Sequence, residues 1–194
     1  MILIPAYLPP ISYFKNLITQ NELSFCINTN YQKQTYRNRC VIYGANGRQN
    51  LIIPIARNVI KKEDKVVPIY NKIDWQKNHW KSIESAYKSS PFFEYYQDEL
   101  KPFFMEKHKL LFDYNVKLII QIFSILDLSI KINEVNHIED FKEINHLLNP
   151  KKDLTKFKFY NQVFQNKKGF QSDLSIIDLL FNLGPESSDY IKSL

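Results

Sequence analysis

The stretch that decides the fold is Ile2-Leu-Ile-Pro-Ala-Tyr-Leu-Pro-Pro-Ile-Ser-Tyr-Phe-Lys-Asn-Leu-Ile18, in which a short apolar run gives way to helical spacing. Ile2–Pro5 predicts a buried strand, and the prolines after it suit the first turn of a helix. Apolar side chains then recur on one helical face from Ile11 to about Gln20. Leu23–Ile27 predicts a second strand, so these residues form a β-loop-α-β unit.

The pattern changes from strand to helix at about residue 73. Before it, Arg39–Tyr43 and Leu51–Ile55 flank the turn signal Gly44-Ala-Asn-Gly47 and predict a hairpin, and Val66–Tyr70 predicts a further strand. After it, helical spacing extends over residues 75–87, 91–107, 110–126 and 174–183. The last of these helices has Ser175 and Asp178 at the spacing of a capping box.

These elements predict an α/β fold in which a mainly helical C-terminal half packs on an N-terminal β-loop-α-β unit and hairpin. A chain of 194 residues is long enough for one ordinary domain. We expect a single domain over residues 1–194, with an α/β part at 1–72 and a mostly helical part at 73–194. Lys142–Lys168 has seven lysines against two acids and predicts a long surface loop.

Composition favours a soluble cytoplasmic protein. Hydrophobic residues make up 44% of the chain and charged residues 24%, values that exclude a disordered chain. The first ten residues lack the basic segment of a signal peptide, and the most apolar stretch, Leu118–Ile130, is too short and too polar to cross a membrane. Two cysteines, Cys26 and Cys40, are too few for a disulfide scaffold, and we expect both to be reduced.

The net charge of +6 is unevenly distributed. The chain has 22 lysines, 24 isoleucines and 18 asparagines, whose codons are A/T-rich, so genomic drift explains most of the lysines. Only four arginines occur, and all of them, Arg37, Arg39, Arg48 and Arg57, lie between Glu22 and Glu63, an interval of 40 residues without an acid. Because guanidinium binds phosphate and carboxylate through two parallel hydrogen bonds, retained arginines indicate where lysine does not suffice.

Tyr31-Gln-Lys-Gln-Thr-Tyr-Arg-Asn-Arg39 is the most basic part of this interval. If it is extended, Lys33, Arg37 and Arg39 alternate onto one side, an arrangement that suits a phosphate, pyrophosphate or carboxylate. The alternative is a solvated edge strand whose charges discourage aggregation.

His79 is the best candidate for proton transfer. It shares an apolar helix face with Trp75 and Ile83, so burial is expected to lower its pKa. The alternative is a core histidine with one hydrogen-bonded nitrogen. The remaining histidines have no metal-ligand spacing, and glycine-rich nucleotide loops are absent, so we predict neither a metal nor a cofactor. Residues 92–104 are rich in Phe and Tyr, which predicts core packing rather than a stacking surface.

Three blocks together resemble the WbqC-like proteins, and the tail is similar to the version found in Bacteroidetes. The blocks are Pro5-Ala-Tyr-Leu-Pro-Pro-Ile-Ser-Tyr-Phe14, Tyr31–Arg39 with Leu51–Ile55, and His79-Trp-Lys-Ser-Ile83 with Ala86-Tyr87 and Ser90–Phe93; the tail is Gly169–Pro185. The resemblance implies a link to surface-polysaccharide (O-antigen) gene clusters and no defined activity. It places the family's Lys…Asn-Arg block on Lys33, Asn38 and Arg39, and its Trp…His block on Trp75 and His79.

The leading hypothesis is an enzyme that acts on a phosphorylated or nucleotide-linked sugar or a similar anionic metabolite in surface-polysaccharide biosynthesis. His79 is the predicted catalytic residue. The predicted substrate-binding residues are Tyr7, Lys33, Arg37, Asn38, Arg39, Trp75 and Tyr87. The alternatives are a nucleic-acid-binding module, which drift in lysine makes the weaker hypothesis, and a non-catalytic partner protein of a cell-envelope pathway.

Overall fold

The computed structural model describes residues 2–20, 22–56, 59, 62–136, 146–151 and 155–194. The strands of this part of the chain are β1 (Ile2–Leu3), β2 (Glu22–Cys26), β3 (Arg39–Gly44), β4 (Gly47–Ile52) and β5 (Lys131–Val135). The α-helices are α1 (Ile11–Ile18), α2 (Trp75–Tyr87), α3 (Phe93–Leu100), α4 (Leu111–Ile125), α5 (Gln165–Lys168), α6 (Ile176–Leu183) and α7 (Ser187–Lys192). The predicted α/β class, with strands first and a mainly helical second half, is confirmed.

A small parallel sheet is built on the predicted β-loop-α-β unit. Its strand order is β1-β2-β5, with Ile2 opposite Ser24 and Cys26 opposite Val135. The first strand is short because Pro5 follows closely and cannot donate to a strand ladder. The third strand was not predicted, since Lys131 and Glu134 lie at an exposed edge and hide the apolar alternation.

The second strand of the hairpin begins earlier than predicted. Arg39 lies opposite Ile52 and Gly44 opposite Gly47, so β4 begins at the turn and not at Leu51. The first half of β4 could not be predicted from apolar alternation, because residues 48–50 are polar and much of the strand faces solvent. The strand predicted at Val66–Tyr70 is wrong: Asp64–Val66 is a 3-10 turn, and isolated bridges follow it.

The long helices have the predicted bounds, because their apolar spacing is regular. The helix predicted over Pro91–Lys107 divides into α3 and a 3-10 turn at Lys101–Phe104, with Pro102 near the start of that turn. Proline is tolerated there because the amide it lacks would have no partner inside the turn.

Helix α6, the second-last described helix, is a central part of the core. Every residue from Ile176 to Asn182 is buried, and the Ile176 amide donates to the Pro9 carbonyl at 2.8 Å. The predicted capping box is wrong, because the Ser175 hydroxyl donates to the Leu8 carbonyl at 2.8 Å instead of capping the helix. The C-terminal half therefore packs on the loop that follows β1.

Lys142–Lys168 is not simply a surface loop. Residues 142–145 and 152–154 lie outside the described residues. In the described part, the side chains of Leu148, Tyr160 and Gln162 are buried. The single-domain organisation over residues 1–194 stays a prediction, whereas both cysteines are free and buried, as expected.

The turn after α6 depends on Gly184. Its φ is +58°, and a Cβ atom there would lie 2.5 Å from the Phe92 ring. Gly169 also has a positive φ, of +72°, but open space surrounds its Cβ position. Gly169 combines this φ with a ψ of 176°, a region that essentially only glycine adopts, so we expect Gly169→Ala to lower the free energy of unfolding by about 1–3 kcal/mol through backbone strain alone. Gly184→Ala should lose a further ~1–3 kcal/mol of unfolding free energy, because its new Cβ atom would overpack against the Phe92 ring.

Urea denaturation of both variants measures the difference. Equal losses would contradict a close contact between Gly184 and Phe92, and replacing Phe92 with Leu in the Gly184→Ala background should restore part of the loss.

Candidate functional site

Tyr7 and His79 form a buried polar pair. Helix α2 places His79 on its apolar face, and the stiff loop before α1 places Tyr7 against it. The Tyr7 hydroxyl lies 2.8 Å from His79 Nδ1, and the two residues are 0% and 6% exposed. Trp75 packs edge-on against the imidazole at 5.1 Å between ring centroids. The structure thus brings together three residues of the predicted set.

Burial sets the protonation state of this pair. Desolvation lowers the pKa of His79 to about 4, against a smaller opposing effect of a hydrogen bond with the Ile52 backbone. Desolvation also raises the pKa of Tyr7 well above its ordinary value. At neutral pH, Tyr7 therefore keeps its proton and the imidazole is neutral. In the tautomer with an unprotonated Nδ1, the Tyr7 hydroxyl donates a hydrogen bond to that nitrogen. With Nδ1 unprotonated, the His79 imidazole can act as a base at this nitrogen but not as an acid.

Arg37 is buried in an ion pair and is not part of an extended strand. Residues 33–38 form turns and bends in which Gln34 has a φ of +61°, so this segment is not extended and Lys33, Arg37 and Arg39 do not alternate along a strand. Arg37 Nε lies 3.1 Å from both carboxylate oxygens of Asp64, and the two residues are 1% and 5% exposed. The partner of Arg37 is thus Asp64, the second of the two acids, Glu63 and Asp64, that follow the acid-free interval.

Other polar groups complete this ion pair. The Thr29 hydroxyl donates to the Asp64 carboxylate, and the Thr29 carbonyl accepts from the Asp64 amide at 2.7 Å. Asn115 of α4 donates to the Arg37 carbonyl at 2.7 Å and to the Pro5 carbonyl at 3.2 Å. Burial raises the pKa of Asp64, while the Arg37 charge and the Thr29 hydrogen bond act in the opposite direction.

Several buried polar atoms around the pair have no hydrogen-bond partner among the residues that the structure describes. They are Tyr31 Oη, Arg37 Nη2, Asn38 Oδ1, Arg39 Nε and Asn115 Oδ1. We call these five residues, together with Asp64, the polar block. Unpaired buried groups are rare in native proteins, and each costs about 1–3 kcal/mol. A cavity of about 10 Å³ beside Arg37, Asp64 and Asn115 has room for one water molecule at most.

The Tyr7–His79 pair adjoins the polar block. The Tyr7 amide donates to the Tyr36 carbonyl at 2.8 Å, one residue before Arg37. On the other side, Ile52 is the strand partner of Arg39, and its backbone is hydrogen-bonded to His79. The loop before α1 and the open end of the hairpin therefore connect the two groups.

The other predicted residues have different surroundings. Lys33 is exposed and lines a separate groove of about 420 Å³ with His146 and Lys151. Asn38 donates to the Ile53 carbonyl at 2.9 Å, and Arg39 is half-buried. Arg57 lies outside the described residues.

Tyr87 belongs to a second buried network, centred on Asp178. Its hydroxyl accepts from the Tyr43 amide at 3.1 Å and lies beside the Asp178 carboxyl. Asp178 accepts hydrogen bonds from Tyr160 at 2.6 Å and from Gln162 at 2.9 Å. Desolvation raises the pKa of Asp178 to about 6, although its hydrogen-bond donors act in the opposite direction. Tyr87 thus lies in a network that attaches the C-terminal segment to the hairpin.

Sequence reasoning missed Asp64, Asn115, Thr29 and Tyr31. Asn115 had a detectable signal, because a polar residue between Leu111 and Leu118 lies on the apolar face of a helix. The signal for Asp64 was weaker: it is the second of the two acids, Glu63 and Asp64, that follow the acid-free interval.

Two other kinds of site are absent from the part of the chain that the structure describes. Within those ranges, no three or more His, Cys, Asp or Glu side chains are close enough together to hold a metal ion. None of the described helices has both the length and the apolar character needed to cross a membrane.

Comparisons with known proteins support one family. A model of the WbqC-like protein family matches residues 5–164, which include the polar block and α2. The chain is also similar to "Uncharacterized protein Rv1507c" of Mycobacterium tuberculosis (strain ATCC 25618 / H37Rv), at 24% identity over 220 residues. That alignment covers 96% of this chain and 94% of the mycobacterial protein. No solved structure is significantly similar to the chain.

His79 and Asp178 should give opposite pH dependences of stability. As the pH falls from 6.5 to about 4, the unfolded chain protonates His79 and the folded state does not, so acidification destabilises the fold. Between about 6 and 3.8, the folded state keeps a proton on Asp178 that the unfolded chain releases, so acidification stabilises the fold. Each effect amounts to roughly 3 kcal/mol.

Urea denaturation of His79→Gln and Asp178→Asn between pH 4 and pH 7 separates the two effects. Relative to the wild type, His79→Gln should gain stability on acidification, and Asp178→Asn should lose it. Wild-type pH profiles in both variants would show that neither buried group has the shifted pKa.

Proposed function

We propose that this chain, which belongs to the WbqC-like protein family, binds a phosphorylated or nucleotide-linked sugar at the polar block. The observation that carries the proposal is the set of unpaired buried atoms at Tyr31, Arg37, Asn38, Arg39 and Asn115. Guanidinium and phenol donors occur here together with amide acceptors, a chemistry that suits anionic oxygens and hydroxyl groups. Because the cavity beside Arg37 holds one water molecule at most, the ligand contacts the polar block at half-buried Arg39.

Arg39 is the main anion-binding residue in this proposal. The Arg37 charge is already balanced by Asp64, whereas Arg39 is in no ion pair within the described ranges and is half-buried. Arg37 is 1% exposed and is held by the bonds of Nε to Asp64, so it positions the segment that carries Arg39 and does not itself contact the ligand. Lys33 is exposed, and it attracts an anion over a distance instead of bonding to it directly.

Tyr7 and His79 are the proposed proton-transfer residues. The neutral imidazole is the base, and Tyr7 relays a proton between it and the ligand. The backbone connection between the pair and the polar block supports this role, because the Tyr7 amide bonds to the Tyr36 carbonyl, one residue before Arg37. Surface-polysaccharide biosynthesis is the pathway we propose, since it uses nucleotide-linked sugars.

Titration with UDP-glucose and glucose 1-phosphate, followed by calorimetry, tests the proposal. Arg39→Lys keeps the positive charge and removes the planar fork, so the affinity should fall roughly tenfold, which corresponds to 1.4 kcal/mol. The midpoint of thermal unfolding should not change, because the Arg39 side chain is only half-buried.

Lys33→Gln is the comparison variant, because it removes a charge from the same loop. We expect it to weaken binding less than Arg39→Lys does, and increasingly less as salt is added. Normal affinity in Arg39→Lys, or no binding of either sugar by the wild type, would refute the proposed function.

A further inference from the structure

An apolar surface lies at the open end of the hairpin, where the chain continues past β4. Ile55 and Ile69 form an antiparallel bridge there, and the Tyr70 amide donates to the Pro54 carbonyl at 2.9 Å. Pro54 and Tyr70 are therefore directly opposite each other, and opposite residues of an antiparallel pair project from the same face. Ile52, two residues before Pro54, projects from that face as well. We call Ile52, Pro54 and Tyr70 the apolar platform.

The apolar platform faces away from the core. Leu51 and Ile53, on either side of Ile52, are buried, whereas Ile52 is 47% exposed and Tyr70 is 40% exposed. Pro54 is half-buried. Single exposed apolar side chains are common on protein surfaces, but adjoining ones on a single face are typical of a binding surface.

Another segment covers the same face at the turn end of the hairpin. Tyr43 and Arg48 are strand partners on this face. Tyr43 Oη donates to the Gly169 carbonyl at 2.7 Å, and Arg48 Nη1 donates to the Ser172 carbonyl at 2.8 Å. These bonds hold the segment before α6 over the turn end, so the apolar platform is the part of this face that a ligand can reach.

Arg39 borders the apolar platform. It lies opposite Ile52 in the hairpin register and therefore projects from the same face. The strand that carries Ile52 and Pro54 lies between Arg39 and Tyr70, so these two residues are two strand spacings, or roughly 10 Å, apart across the sheet. A nucleoside diphosphate is long enough to contact both.

The Tyr70 ring is available for stacking. Within the described ranges it forms no pair with another aromatic ring. Its backbone is held by the bond to Pro54, which presents the ring from a fixed position. Aromatic side chains stack on nucleobases of any sequence, because every base has a π-face.

We propose that the Tyr70 ring stacks on the base of a nucleotide-linked sugar while Arg39 binds its diphosphate. Arg39 supplies the charge, and the apolar platform supplies the surface for the base. The stacking role rests on the proposed function and narrows its substrate class, because a simple sugar phosphate has no base to place on Tyr70.

Calorimetric titration with UDP-glucose and glucose 1-phosphate tests the stacking role. Tyr70→Ala should weaken UDP-glucose binding roughly tenfold and leave glucose 1-phosphate binding unchanged. Tyr70→Leu keeps an apolar side chain without the ring and should show the same selective loss. Tyr70→Phe keeps the ring and should bind both ligands as the wild type does.

Tyr95→Ala is the matched control, because Tyr95 is an exposed tyrosine of α3 outside the apolar platform. It should bind UDP-glucose normally. Equal losses for the two ligands in Tyr70→Leu, or no loss for UDP-glucose, would overturn the stacking role and leave the Arg39 site in place. Failure of the wild type to bind either ligand would instead refute the proposed function itself.

Discussion

The buried ion pair between Arg37 and Asp64 is the constraint on which the polar block and the loop that carries Tyr7 depend. Removing two charges from water is costly unless each charge finds close partners. Asp64 therefore binds both Arg37 and Thr29, which joins the loop after β2 to the turn at Asp64–Val66. Asn115 fixes the backbone of Arg37 and of Pro5. The position of the loop that carries Tyr7 follows from these contacts, and with it the contact between Tyr7 and His79.

The fold could be predicted where the pattern of apolar residues is regular. Helices α2 and α4 and the β-loop-α-β unit follow from such patterns. The start of β4 and the whole of β5 could not be predicted, because their exposed edges are polar. The capping box at Ser175 failed for a different reason. Its hydroxyl bonds to Leu8, which is distant in sequence, so a tertiary contact replaced the local one.

The residues of the candidate site that lie on a single helix could be predicted from their spacing. Trp75 and His79 share a helix face, and this spacing alone indicated their contact. Arg37 was singled out as a place where lysine does not suffice, which stays a prediction, and its partner is a carboxylate of the chain itself. Asn115 lies 78 residues from Arg37, and no local pattern relates the two. The positions of the few arginines thus indicated where the polar block lies, but not that Asp64 already balances the charge of Arg37.

A double-mutant cycle on Arg37 and Asp64 tests the central claim most directly. The free energy of unfolding in urea is measured for the wild type, Arg37→Met, Asp64→Leu and the double variant. Each single substitution leaves a buried charge unpaired and should cost about 3–5 kcal/mol. The double variant should cost at least ~2 kcal/mol less than the two single losses together. Additive losses would show that the two side chains do not depend on each other, and would contradict the account.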